Sequence, residues 1–124
     1  EKILTLTTDA FEFDDARTAS QVEPLEQVID ILVERLRAQH IKRLKDGACS
    51  IDTGVVYLDV LNNVERISDH CSNIAARLVG MEAGEDYDSH TLKNMMHHNP
   101  TKEYMLNYEQ CRKDYLIPLE QLEA

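Results

Sequence analysis

Apolar residues recur along this chain at spacings of three and four, and the longest run of two-residue alternation, KILTLTT, is too short to build a sheet, so the pattern predicts an all-α fold. Four helical segments follow. The first covers roughly residues 1 to 13, with Ile3, Leu6, Ala10 and Phe13 as its stripe. The second runs from about Asp14 or Ser20 to Asp46, with Val22, Leu25, Ile29, Leu32, Leu36 and Leu44 facing inward, Ile41 nearby, and Gly47 as the left-handed stop. Pro24 either kinks this helix or sits in a first turn that begins near Ser20.

The third helix starts after Ser50, an N-cap residue type followed by Asp52 and Thr53, and runs to about Val79, where Gly80 and Gly84 are expected to end it. Its core candidates are Ile51, Val55, Leu58, Leu61, Val64, Cys71, Ala75 and Leu78. GMEAGEDYDSHTLKNMMHHNP, residues 80 to 100, mixes glycine, acid, amide and histidine before a proline and reads as a loop with room for a helical turn. A fourth helix over about Thr101 to Leu122 presents Tyr104, Leu106, Tyr108, Cys111, Tyr115 and Leu119, with Pro118 expected to fray or bend its end. Two long helices joined by KDGACS must fold back on one another. The shorter segments then complete an antiparallel three-helix core with an additional C-terminal helix, up to four helices in all.

Composition narrows the function. Thirteen Lys and Arg against 23 Asp and Glu give a net charge of −10, so a phosphate backbone is repelled and nucleic acid is excluded as a partner. Three scattered cysteines, Cys49, Cys71 and Cys111, form no CxxC pair, which fits a reducing compartment. Cys71 belongs to the apolar stripe and reads as a small core hydrophobe. No run of about 18 apolar residues is present to cross a membrane, and the start, EKILTLTTDAF, reads as a piece cut from a longer protein. The basic stretch HIKRLKDG suits the negative end of a helix dipole.

The chemistry lies in acids beside the apolar stripes. Glu65 and Asp69 are four residues apart, hence about 40° apart on the helix and one turn along it, and they flank the stripe of Tyr57, Val64, Cys71, Ala75 and Leu78. Glu26 and Asp30 repeat this in EQVID on the preceding helix. Like charges at that spacing repel, so four converging carboxylates call for a cation, whereas four diverging ones are solvated helix flanks. Carboxylates between bundle helices suit divalent metals, with Asp59 and His70 near enough in sequence to assist and Asn62, Asn63 and Asn73 as surface amides or outer hydrogen-bond partners. His90, His97 and His98 form a second, weaker metal candidate. No phosphate loop, nucleophile elbow or Cys/His pair is present, and neither long helix carries the Glu-x-x-His of di-iron oxidases, so an enzyme is not expected.

The stretch HIKRLKDGACSIDTGVVYLDVLNNVERISDHCSNIAARL, residues 40 to 78, together with VEPLEQVIDILVERL, resembles the PhoU family. It is most similar to the PhoU-like domain that follows the membrane part of bacterial sodium/phosphate cotransporters. The resemblance implies a three-helix bundle over a single domain, residues 1–124, a regulatory role in phosphate uptake and signalling, and no catalysis. It implies a metal at Glu26, Asp30, Glu65 and Asp69, with iron, zinc, manganese or magnesium as the candidate ions. It also implies the membrane domain of the same transporter as partner, with a signalling protein or a second copy as further partners, and a place at the cytoplasmic face of the plasma membrane. Two rival readings are a helical interaction domain without metal and a carboxylate-bundle metalloenzyme.

Overall fold

The computed structural model describes residues 1–84 and 89–123, and among them every regular element is helical. Helices α1 (Lys2–Phe13), α2 (Ala16–Ala19), α3 (Val22–Lys45) and α4 (Ile51–Ala83) form the first part of the chain. Helix α5 (Ser89–His98) is followed by α6 (Lys102–Cys111), a π-helical segment (Arg112–Leu116) and α7 (Ile117–Glu123).

The caps explain most of the boundaries. Asp14 takes the left-handed conformation that ends α1, at φ 51°, which a short polar side chain tolerates. Asp15 then caps α2 by accepting from the Arg17 and Thr18 amides; those bonds, with the Thr18 hydroxyl first, hold its carboxyl below the usual range. Helix α3 begins at Val22, so Pro24 lies in the first turn, where its absent N–H leaves no helical bond unmade. Ser50 caps α4 through the Thr53 amide, and Gly47, at φ 71°, turns the chain between α3 and α4.

Helices α3 and α4 run antiparallel: Glu23 meets Ser72, Arg37 meets Asn62 and Glu65, and His40 meets Gly54. Helix α1 lies against both, and α6 packs against α3. Ile3, Ala10, Ala19, Val22, Leu25, Val28, Cys71, Ala75 and Cys111 make the central cluster, with Leu6, Ile29, Leu32, Leu78, Val79 and Tyr108 packed around it. All three cysteines are free.

Several expectations are corrected here. Gly80 does not stop α4; it is buried inside the helix, and Gly84, at φ 74°, is the C-cap. The expected loop over residues 81–100 contains α5, which the buried Leu92 anchors, while residues 85–88 lie outside the described residues. Pro118 does not fray the last rod. The chain widens to a π-helical turn just before it, with the Ile117 amide bonding to the Arg112 carbonyl, and continues as α7; this register accommodates a proline that cannot donate to the carbonyl four residues back.

Phe13, Ile51, Val55, Val64 and Leu106 are exposed, although their spacing placed them inward. On α4 the inward face has rotated toward Leu61, Ser68, Cys71, Ser72, Ala75 and Ala76. This leaves Val56, Val60, Val64, Ile67, Ile74 and Met81 in solvent, within an arc of about 100° that runs for roughly 37 Å along the helix.

The end of the α3–α4 pair distant from the acids is closed by His40, which is buried. Its Nε2 donates to the Gly54 carbonyl at 3.2 Å while Nδ1 accepts from Arg43 at 3.3 Å, an arrangement that fixes one imidazole tautomer. Tyr57 stacks against the ring at 4.6 Å. A Cβ at Gly54 would stand 2.9 Å from both His40 Nε2 and Leu44 Cδ2. Gly54→Ala is therefore expected to lower unfolding stability by about 1–3 kcal/mol, read by urea denaturation, despite the better helix propensity of alanine.

Candidate functional site

A polar seam crosses the bundle where the first turns of α3 pass α4, α5 and α6. Glu23 and Glu26 are among the most deeply buried side chains of the molecule, at 2% and 1% exposure. They lie three residues apart on one helical face. Ser72 on α4 donates to Glu23 Oε2 at 2.6 Å. Lys93 on α5 donates to Glu26 Oε1 at 3.0 Å and stands 3.9 Å from Asp30 Oδ2. Each glutamate thus has one oxygen engaged. Glu23 Oε1 and Glu26 Oε2 are buried without a hydrogen-bond partner, as are Ser68 Oγ and the Tyr104 hydroxyl. Leaving such a group dry costs about 1–3 kcal/mol. A cavity of about 230 Å³ opens beside Glu23 and Tyr104, walled by Val79, Leu92 and Met96.

The electrostatics follow from burial. Removal from water pushes the Glu23 carboxyl up to about 7; Asp30 and Asp69 repel its charge further, while the Ser72 hydroxyl and Lys93 oppose the rise. Glu26 is pushed up to about 8, first by burial and then by the neighbouring Asp30 carboxyl, against the pull of Lys93. Burial works against the Lys93 ammonium, yet its hydrogen bond to Glu26 and the nearby acids outweigh that and raise its pKa. Glu23 and Glu26 thus favour their protonated forms while Lys93 favours its charged one. Burial, followed by the charges of Glu23, Tyr108 and Glu26, pushes the Tyr104 phenol upward.

Of the four expected metal ligands, the structure brings Glu26 and Asp30 together on Lys93 and turns Glu65 away to another partner. Arg37 takes Glu65 at 3.0 Å and Asn62 at 2.9 Å. Asp69 is exposed, though near enough to Glu23 to act on its charge. Among the described residues no three His, Cys, Asp or Glu side chains stand together to hold a metal. A four-carboxylate centre therefore does not fit this arrangement: the repulsion that called for a cation is relieved by a lysine and an arginine of the chain itself. Asp59, His70, His90 and His98 are exposed, and His97 lies outside the residues whose side chains are described.

Sequence reasoning overlooked Glu23, Ser72 and Lys93. One signal was present: at 100° per residue Glu26 lies about 40° from Val22 and about 20° from Val33, within the apolar arc of α3 and not on its flank. Both of those valines are buried. The small residues Ser68, Ser72, Ala75 and Ala76, all buried on α4, let α3 approach closely enough to enclose both glutamates.

With the geometry established, comparison with known proteins is informative. Residues 1–78, the stretch from α1 through most of α4, match the PhoU domain family. The chain is 25% identical over 85 residues to phosphate-specific transport system accessory protein PhoU homolog 1 of Thermotoga maritima, covering 68% of this chain and 37% of that protein. It is 34% identical over 79 residues to the phosphate-specific transport system accessory protein PhoU homolog of Streptococcus pneumoniae serotype 4, covering 64% of this chain and 37% of that protein. The matched region is thus little more than a third of these relatives' length. No solved structure matches the chain.

The raised glutamates give a pH dependence of definite sign. An acid whose pKa is higher folded than unfolded binds more protons in the folded state, so its contribution is fully present below the unfolded value of 4.5 and is lost as pH rises through the folded values of about 7 and 8. Unfolding free energy measured by urea titration is expected to fall between pH 5 and pH 8. Glu23→Gln should flatten that fall by on the order of 2 kcal/mol.

Proposed function

Because the chain belongs to the PhoU domain family, we propose that it is an accessory domain that regulates phosphate transport by contact, without catalysing a reaction. In the finer form of this reading the domain is part of a sodium-dependent phosphate transporter. It sits at the cytoplasmic face and bears on that transporter's membrane domain. The likeness of residues 20 to 80 to the PhoU-like domain of sodium/phosphate cotransporters supports this form. No helix among the described residues is long and apolar enough to cross a membrane, so the anchoring segment in this reading belongs to the transporter.

The observation that carries the proposal is the apolar row on α4. Val60, Ile67 and Ile74 recur every seven residues, with Val56, Val64 and Met81 beside them, all exposed. An exposed apolar row of this kind marks a binding face. It suits an amphipathic helix laid alongside it. The seam contributes acids closed by a lysine and a serine. Metal at Glu26, Asp30, Glu65 and Asp69 enters this reading only as a competitor of Lys93 and Arg37.

The reading is checked with Val60→Asp combined with Ile67→Asp. The double variant is expected to keep the native melting temperature within a few degrees and to bind the detergent-solubilised membrane domain at least about tenfold more weakly. In cells carrying the complete transporter it should abolish the response of phosphate uptake to phosphate supply. Unchanged uptake control in a stable variant would remove the proposal.

A further inference from the structure

The cavity beside Glu23 lies where four helices meet. Ser20 and Glu23 line it from the junction of α2 and α3, Val79 from α4, Leu92 and Met96 from α5, and Tyr104 from α6. Its volume of about 230 Å³ admits about nine non-hydrogen atoms, in proportion to the ~150 Å³ apolar cavity that holds benzene. Val79, Leu92 and Met96 make one side of it apolar, and the flexible thioether of Met96 adapts to the shape of what it meets.

The polar side is rich in acceptors. Glu23 Oε1 and the Tyr104 hydroxyl are buried without a partner. Ser20 already gives its hydroxyl proton to the Arg17 carbonyl, so it offers the cavity lone pairs only. Glu103 adds a second carboxylate, half-exposed, with Arg17 3.9 Å away. Among the described residues that line the cavity none is basic, and Lys93 is bonded to Glu26. An enclosed carboxyl oxygen needs either a donor or a proton. Burial drives Glu23 toward the proton, and a ligand that brings both donors and positive charge restores the ionised form.

We propose that this cavity binds a small organic ammonium ion, whose N–H groups meet Glu23 Oε1 and the Tyr104 oxygen while its hydrocarbon body lies against Val79, Leu92 and Met96. A metal ion is a poor match. One enclosed carboxylate oxygen and a phenol fall short of the roughly six to eight oxygens that calcium-like cations take. The site also stands apart from Glu26 and Asp30, which Lys93 holds. Touching α3, α4, α5 and α6 at once, the ligand fastens the two shorter helices to the long pair and stabilises the folded bundle by binding it.

The test compares benzylammonium with benzyl alcohol, a neutral molecule of nearly the same size and shape, at neutral pH. Calorimetric titration of the native chain is expected to give a dissociation constant below about 1 mM for benzylammonium, which is modest per atom for so small a ligand. Benzyl alcohol should bind at least about tenfold more weakly, since only the ammonium makes charge-assisted bonds. Methyl NMR signals of Val79, Leu92 and Met96 should shift on binding. Glu23→Gln removes the charge at nearly constant shape, and it is expected to weaken benzylammonium at least about tenfold while changing benzyl alcohol by less than about threefold. Equal affinity for the two probes overturns the proposal. So does binding of neither, which leaves a cavity for water alone, or a set of shifts confined to other methyls, or a folded Glu23→Gln that binds benzylammonium as tightly as the native chain. If Glu23→Gln does not fold, the two probes and the methyl shifts on the native chain decide by themselves.

Discussion

The burial of two glutamates in the first turns of α3 constrains the rest of this structure. Glu23 and Glu26 are enclosed at 2% and 1% exposure, and enclosed carboxylates are tolerated only when hydrogen-bonded, neutralised or protonated. That requirement sets what must surround them. A small hydroxyl residue has to face Glu23 from α4, a cation has to reach Glu26, and the backbones of α3 and α4 must pass close together. Ser72, Lys93 and the run of small residues on α4 meet those needs.

The same close approach is enforced at the far end by different means. There Gly54 leaves room for the His40 ring, whose two nitrogens are both engaged, and Tyr57 stacks on it. Between these ends Val33 and Leu61 are buried, while the polar cross-helix contacts, Arg37 with Glu65 and Asn62, are partly exposed. An ion pair of that exposure contributes only about 0–1 kcal/mol. The helix pair is thus specified by its two buried polar ends together with the apolar residues buried between them. Arg35 on α3 holds Glu120 of α7 at 2.9 Å and ties the C-terminal rod to the same helix.

Burying one face of α4 around the glutamates has a consequence on the other. Rotation that turns Ser68 and Ser72 inward carries Val60, Ile67, Ile74 and Met81 outward. Ser72, which meets Glu23 from α4, and the exposed row belong to the same helix.

Much of this was legible in the residues. Spacing of Leu25, Ile29 and Leu32 on α3 and of Cys71, Ala75 and Leu78 on α4, with Ser50 and Gly47 at the boundaries, determined two long antiparallel helices, because local periodicity and caps act within a few residues. Glu26 and Asp30 stood out for the same reason. Which acids were buried and what neutralised them was decided only by tertiary packing. Glu23 with Ser72 and Glu26 with Lys93 are separated by 49 and 67 positions, and α5 formed where composition suggested a loop because the bundle gave Leu92 a place to be buried. Local patterns fix what a segment can form; the partner of a buried charge is fixed by the three-dimensional arrangement that first encloses it.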